Sequence, residues 1–190
     1  MSSDLVAPLP GAAALADELD RAVRGEAAVG PPSLDGLVVR LAGVNLRQWD
    51  LEDTTRDPAA SDRVVADAKR AIDGLNLERH RLVREIDVAV AAELAPDSSA
   101  ALATESPGMV LDRLSVLIIR RFRTAEASGH DGAYTDRLPV LDAQLAALVI
   151  ALDGYFAELR AGRRTFLAHD PLKLYGAPAE RSRGDGSHPG

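Results

Sequence analysis

Apolar residues recur every three or four positions along five stretches of this chain, and in one of them the apolar stripe turns polar. From Ser33 the stripe runs Leu34, Leu37, Val38, Leu41 and Val44, then continues as Asn45, Trp49, Glu52 and Arg56 at spacings of four, three and four. Residues so spaced project from one face of a single helix. A core-facing stripe that ends in Asn, Trp, Glu and Arg must pair those groups or use them, because buried unpaired charge is costly. The alternative is a solvated helix end, with Glu52 and Arg56 as an i,i+4 surface pair contributing about 0.3 kcal/mol.

The other stripes predict the remaining elements. Ala12 to Arg24 forms a short helix with Leu15, Leu19 and Val23 on one face, and Gly30-Pro31-Pro32 breaks the chain after it. Ser33 caps the helix with the polar stripe, and Pro58 stops it near Asp57. A third helix runs from near Ser61 to about Glu93 on Val64, Val65, Ala68, Ile72, Leu75, Leu82, Val83, Ile86 and Val90. Leu94 to Ser106 reads as a loop. Ser106-Pro107 starts a fourth helix, a capping hydroxyl followed by Pro in the first turn. It carries Val110, Leu111, Leu114, Leu117, Ile118 and Phe122 and ends near Ser128-Gly129. Gly129 to Tyr134 is a turn. The last helix, about Thr135 to Ala161, carries Leu138, Leu141, Leu145, Leu148, Val149, Leu152, Phe156 and Leu159, with Gly162 as its C-cap. Pro171 to Tyr175 is expected to dock back on the body.

No stretch alternates with a two-residue period, so the fold class is all-α: a bundle of four long helices plus a short N-terminal one. The expected organisation is an N-terminal arm over 1–32, a helical domain over 33–175 and a flexible tail over 176–190, rich in Gly, Pro, Arg and Ser.

Composition narrows the chemistry. At 190 residues the chain is one domain. Aromatics are only 4%, so Leu, Val, Ile and Ala must build the core. The absence of cysteine removes disulfides, thiolate metal sites and a Cys nucleophile. A net charge of −7 argues against nucleic-acid binding through a basic surface. No apolar run reaches the roughly 20 residues of a membrane helix, and the N-terminus lacks a signal-peptide pattern; a cytoplasmic protein without membrane contact is expected. There is no Glu-x-x-His pair, and His80, His130, His169 and His188 are dispersed. Walker, Gly-x-Gly-x-x-Gly and Gly-x-Ser-x-Gly patterns are absent. Neither a metal nor another cofactor is expected.

Polar residues beside core positions are the remaining signal. Asn76, Arg79, His80 and Asp87 interleave with the apolar positions of the third helix; Asp112, Arg113 and Ser115 do so in the fourth, with Glu105 just before its start. Solvated faces are the plainer reading, and Ser106 is more simply a cap than part of an anion site at the helix N-terminus. Three helices that each place charged groups beside the core nevertheless predict one shared polar pocket. Buried ion pairs are weak evidence for stability, so such a pocket points toward function.

The order of these motifs resembles a bacterial family catalogued as domain of unknown function 4254. The resemblance rests on Asn45, Trp49, Glu52-Asp53 and Arg56, then Asn76 and Arg79, then Glu105-Ser106-Pro107-Gly108 with Asp112-Arg113-Leu114-Ser115, and finally Lys173 and Tyr175. It covers roughly Asn45 to Tyr175, with Ser106 where the pattern has Thr. The chain is also similar to the small subunits that build aziridine rings in azinomycin- and vazabitide-type antibiotic pathways. That likeness implies a cofactor-independent enzyme that works with a second protein subunit on a sulfated amine, free or held on a carrier protein. The amine would displace the neighbouring sulfate. Glu52 and Asp53 would be the catalytic carboxylates that take the amine proton. Asn45, Trp49, Arg56, Asn76, Arg79, Asp112 and Arg113 would bind the substrate, with guanidiniums on the sulfate and Trp49 as an apolar wall. Two rival readings stand beside it: a non-catalytic binding or accessory protein for an anionic metabolite or a glycosyltransferase pathway, which shares these residues, and a structural partner docking through its apolar N-terminal helix, which does not need them.

Overall fold

The computed structural model describes residues 9–27 and 33–170. The break at Gly30-Pro31-Pro32, the docking of Pro171 to Tyr175, Lys173, Tyr175 and the tail over 176–190 lie outside the described residues.

The described chain is all-α. The order is α1 (Ala12–Val23), α2 (Leu34–Arg56), α3 (Asp62–Ala91), β1 (Ala101–Leu102), α4 (Pro107–Ser128), a 3₁₀ helix (Gly132–Arg137), α5 (Leu138–Arg160) and β2 (Arg164–Thr165). The starts follow the capping chemistry. Ser33 accepts from the Gly36 N–H, Ser61 from Val64 and Ser106 from Met109, each satisfying a donor that the first helical turn leaves free. At the end of α5, Gly162 takes a φ of +71°, which suits glycine just past a helix.

Two short features depart from the sequence reading. The expected turn at Gly129 to Tyr134 extends into the 3₁₀ helix, so α5 begins three residues later than predicted. The loop between α3 and α4 holds β1, which pairs in parallel with β2. A two-residue strand is too short to leave an alternation in sequence.

The core is aliphatic. Leu15, Leu19, Leu41, Leu82, Ile86, Leu111, Leu114, Ile118, Ile119, Leu152 and Leu159 are fully buried, with Phe156 the sole aromatic among the fully buried side chains described. The apolar side of α1 (Ala12, Leu15, Leu19, Val23) is spent inside this core. Its first N–H donates to Asp153 Oδ1 on α5 at 2.7 Å, a cap supplied from another element. Docking of a partner through the N-terminal helix is therefore corrected: that face is already covered.

The start of α4 is locked onto α3. Asp87, fully buried, accepts the Gly108 N–H on Oδ1 and the His169 N–H on Oδ2, both at 2.7 Å. A Cβ at Gly108 would stand 2.3 Å from the Val83 carbonyl oxygen, so only glycine permits this approach. The ring nitrogens His80 Nδ1 and His169 Nε2 lie 2.9 Å apart, and the rings stack at 5.0 Å, tying the end of the described chain to α3.

Helix α5 is the exception to efficient burial. Only Leu141, Leu152, Phe156 and Leu159 are buried on it, while Val140 and Ile150 are 57% and 72% exposed. Against the sequence reading, the stretch Gly132–Arg160 is long and apolar enough to cross a membrane by length and composition.

Candidate functional site

The three polar stripes do converge, though not as one pocket. Asn45 of α2, Arg79 of α3 and Asp112 of α4 form a closed network. Arg79 donates from Nε to Asp112 Oδ1 at 2.8 Å and from Nη2 to Oδ2 at 2.5 Å, a two-pronged pair. Asn45 Nδ2 donates to the same Oδ1 at 2.9 Å and to Ser115 Oγ at 3.2 Å. Asn45, Asp112 and Ser115 are buried. The hydrogen bond to Asp112 holds the Arg79 guanidinium above its ordinary pKa against the opposing effect of burial. Asn76 sits at the edge, accepting from Gln48 Nε2 at 3.1 Å. Every charged group here has a partner within the chain.

One turn further along α2 the surroundings change. Trp49 is half-buried against the core, and with Asp53 it lines an open cleft of about 830 Å³. Arg120 and Arg123 come from α4 to the same cleft, and Tyr134 and Arg137 from the 3₁₀ helix. Arg123 pairs with Glu126 at 2.8 Å and with Asp50. Arg137 lies over the Tyr134 ring, 5.4 Å from its centre. Among the described residues, neither Arg120 nor Arg137 has an ion-pair or hydrogen-bond partner. Arg123 Nε is buried without an acceptor.

The other predicted residues fall outside both places. Glu52 turns toward α3, 3.8 Å from Lys69 Nζ and 3.5 Å from Arg56. Arg56 also pairs with Asp53 at 3.3 Å and has a 68% exposed side chain. The end of the stripe thus forms the surface pair that its spacing allowed. Arg113 pairs with Glu105 at 3.3 Å on a separate groove of about 520 Å³ beside Tyr155. There the Tyr155 hydroxyl donates to the Glu105 carbonyl at 3.0 Å. Burial, aided by the negative charge of Asp87, pushes the phenol up to about 12.

Arg120, Arg123 and Arg137 were not among the predicted site residues. Arg120 and Arg123 belong to the run Arg120-Arg121-Phe122-Arg123, whose density of guanidiniums on one helical turn was a signal available in sequence. Arg137 was not, because its approach depends on the 3₁₀ helix. Among the described residues, no three His, Asp or Glu side chains are grouped to hold a metal ion.

No curated protein and no solved structure matches the chain with significance. The family described as "Protein of unknown function (DUF4254)" matches residues 35–167, the span that carries α2, both polar regions and α5. The chain belongs to that family.

Proposed function

We propose that the cleft beside Trp49 binds a small anion-bearing metabolite, and that the bound molecule is a sulfated amine which closes to an aziridine in antibiotic biosynthesis, with a second protein subunit assisting. The observation that carries the reading is one cleft lined by Trp49, Asp53 and two guanidiniums, Arg120 and Arg137, that have no ion-pair or hydrogen-bond partner among the described residues. A sulfate ester offers the oxygens such groups recognise. Trp49 and Tyr134 supply apolar walls for the carbon skeleton.

In the reaction, the amine lone pair forms the new C–N bond as the C–O bond to sulfate breaks, and sulfate leaves with that electron pair. The amine proton passes to Asp53, which lines the cleft; Glu52 faces Lys69 instead. Arg120 and Arg137 hold the departing sulfate. Holding amine and leaving group on opposite sides of the carbon supplies rate through orientation. Non-catalytic anion binding is the second reading, and it is favoured by the 61% exposure of the Asp53 side chain.

The test uses serine O-sulfate, whose amine and sulfate ester sit on adjacent carbons. The purified chain, alone and with the product of its neighbouring gene, is incubated with it, and ring closure is followed by mass spectrometry. Calorimetric binding with release of sulfate and an aziridine product supports the enzyme reading. Binding without product leaves the anion-binding reading and removes the reaction. Absence of both overturns the proposal.

A further inference from the structure

The outward side of α5 has the wrong chemistry for water. Val140, Ala143, Ala147, Ile150, Gly154 and Ala157 recur at spacings of three, four, three, four and three, and all six are exposed. That is the 3-4 repeat of a helix-pairing seam, in which side chains of one helix fit between those of another. A helix apolar on nearly all sides is normally covered on all sides, yet α5 is covered only on the side that carries Leu152 and Phe156.

The two flanks of the seam differ in charge. On the α1 side, a groove of about 620 Å³ contains Asp17, Asp20 and Asp142. Asp20 and Asp142 are paired with Arg24 and Arg121, while Asp17 has no partner among the described residues. On the opposite flank, a groove of about 530 Å³ between α4 and α5 contains Arg113, paired with Glu105, and Arg120, which borders this groove as well as the cleft beside Trp49 and has no ion-pair or hydrogen-bond partner among the described residues. The middle of α5 therefore runs between an unpaired carboxylate and an unpaired guanidinium. A two-fold axis parallel to the helix places the acidic flank of one copy over the basic flank of the other. An axis across the helix sets like flanks together.

We infer that a second copy of this chain covers α5, with the two α5 helices running in the same direction along the seam. Small residues at Ala143, Ala147 and Gly154 let the backbones approach closely, and the opposed flanks set the direction.

The chain contains no cysteine, so single-cysteine variants report the arrangement directly. In a parallel pair each seam position faces itself. Ala143→Cys, Ala147→Cys and Gly154→Cys should each give a covalent dimer on mild oxidation, while Leu77→Cys on α3, 57% exposed, should not. Sedimentation of the unmodified full chain should give twice the monomer mass, and Ile150→Asp should return it to monomer with an unchanged helical circular dichroism spectrum. Cross-linking confined to one central position would overturn the parallel arrangement. A monomeric unmodified chain would overturn the dimer, as would flotation with phospholipid vesicles that Ile150→Asp abolishes, since α5 would then serve a membrane.

Discussion

One turn of α2 separates a closed polar region from an open one. Asn45 enters the network with Arg79, Asp112 and Ser115, where every charge is paired within the chain. Trp49 lines a cleft in which Arg120 and Arg137 have no such partner. Composition does not separate the two places, since both combine guanidiniums with carboxylates. They differ in where the third element comes from. α3 brings Arg79 directly against Asp112, whereas Asp53 and Asp136, which line the cleft, make no ion pair with Arg137. Polar groups paired in the interior fix how helices pack. Polar groups unpaired at an open cleft retain the capacity to bind.

Removing Asp112 should have the largest effect. Asp112→Ala leaves Arg79 and Asn45 without their shared acceptor. The expected loss is about 3 kcal/mol, the low end for breaking a buried pair, because the Arg79 side chain is 29% exposed and rehydrates. Urea unfolding measures it, and adding Arg79→Met should restore part of the loss, since an apolar group leaves no stranded charge. A loss under about 1 kcal/mol, the value of a surface pair, would erase the contrast between the two regions.

The opposite pattern is expected at the cleft. Arg137→Ala should leave stability within about 0.5 kcal/mol, as for other exposed substitutions, yet weaken calorimetric binding of serine O-sulfate about tenfold, which corresponds to roughly 1.4 kcal/mol. Unchanged affinity would take Arg137 out of the site, and a large loss of stability would make it structural.

How far sequence could reach follows from the same contrast. The fold was legible because capping serines and 3.6-residue apolar stripes are local signals; Ser33, Ser61 and Ser106 cap the helices their positions predict. The convergence of Asn45, Arg79 and Asp112 was legible because each lies beside core positions on its own helix. The parting of Trp49 from Glu52 was not. Residues on one helical stripe share a face only approximately, and what each one faces is set by tertiary packing: Lys69 for Glu52, and for Trp49 an open cleft that the 3₁₀ helix also lines. Apolar periodicity likewise cannot tell which side of α5 lies inside, since the core residues Leu152 and Phe156 and the exposed Ile150 are equally apolar.

Tyr155 tests a position between the two extremes, with the smallest expected effect. Its hydroxyl is bonded to the Glu105 carbonyl, as in a closed region, but its ring lines an open groove. The ordinary phenol pKa is near 10, and in the folded chain burial and the charge of Asp87 push it up to about 12. Below pH 10 the phenol is neutral in both folded and unfolded chains, and its contribution is fully present. Between pH 10 and about 12 the unfolded chain ionises while the folded chain does not. Unfolding then releases a proton, so stability falls as pH rises through that window. Because the ring is only half-buried, solvent screening reduces the loss to about 1 kcal/mol. Tyr155→Phe has no proton to release at this position, so its stability should decline less than that of the unmodified chain between pH 10 and 12. Parallel curves for the two chains would mean that the Tyr155 phenol is open to water in the folded chain, and would move this groove to the open side of the comparison.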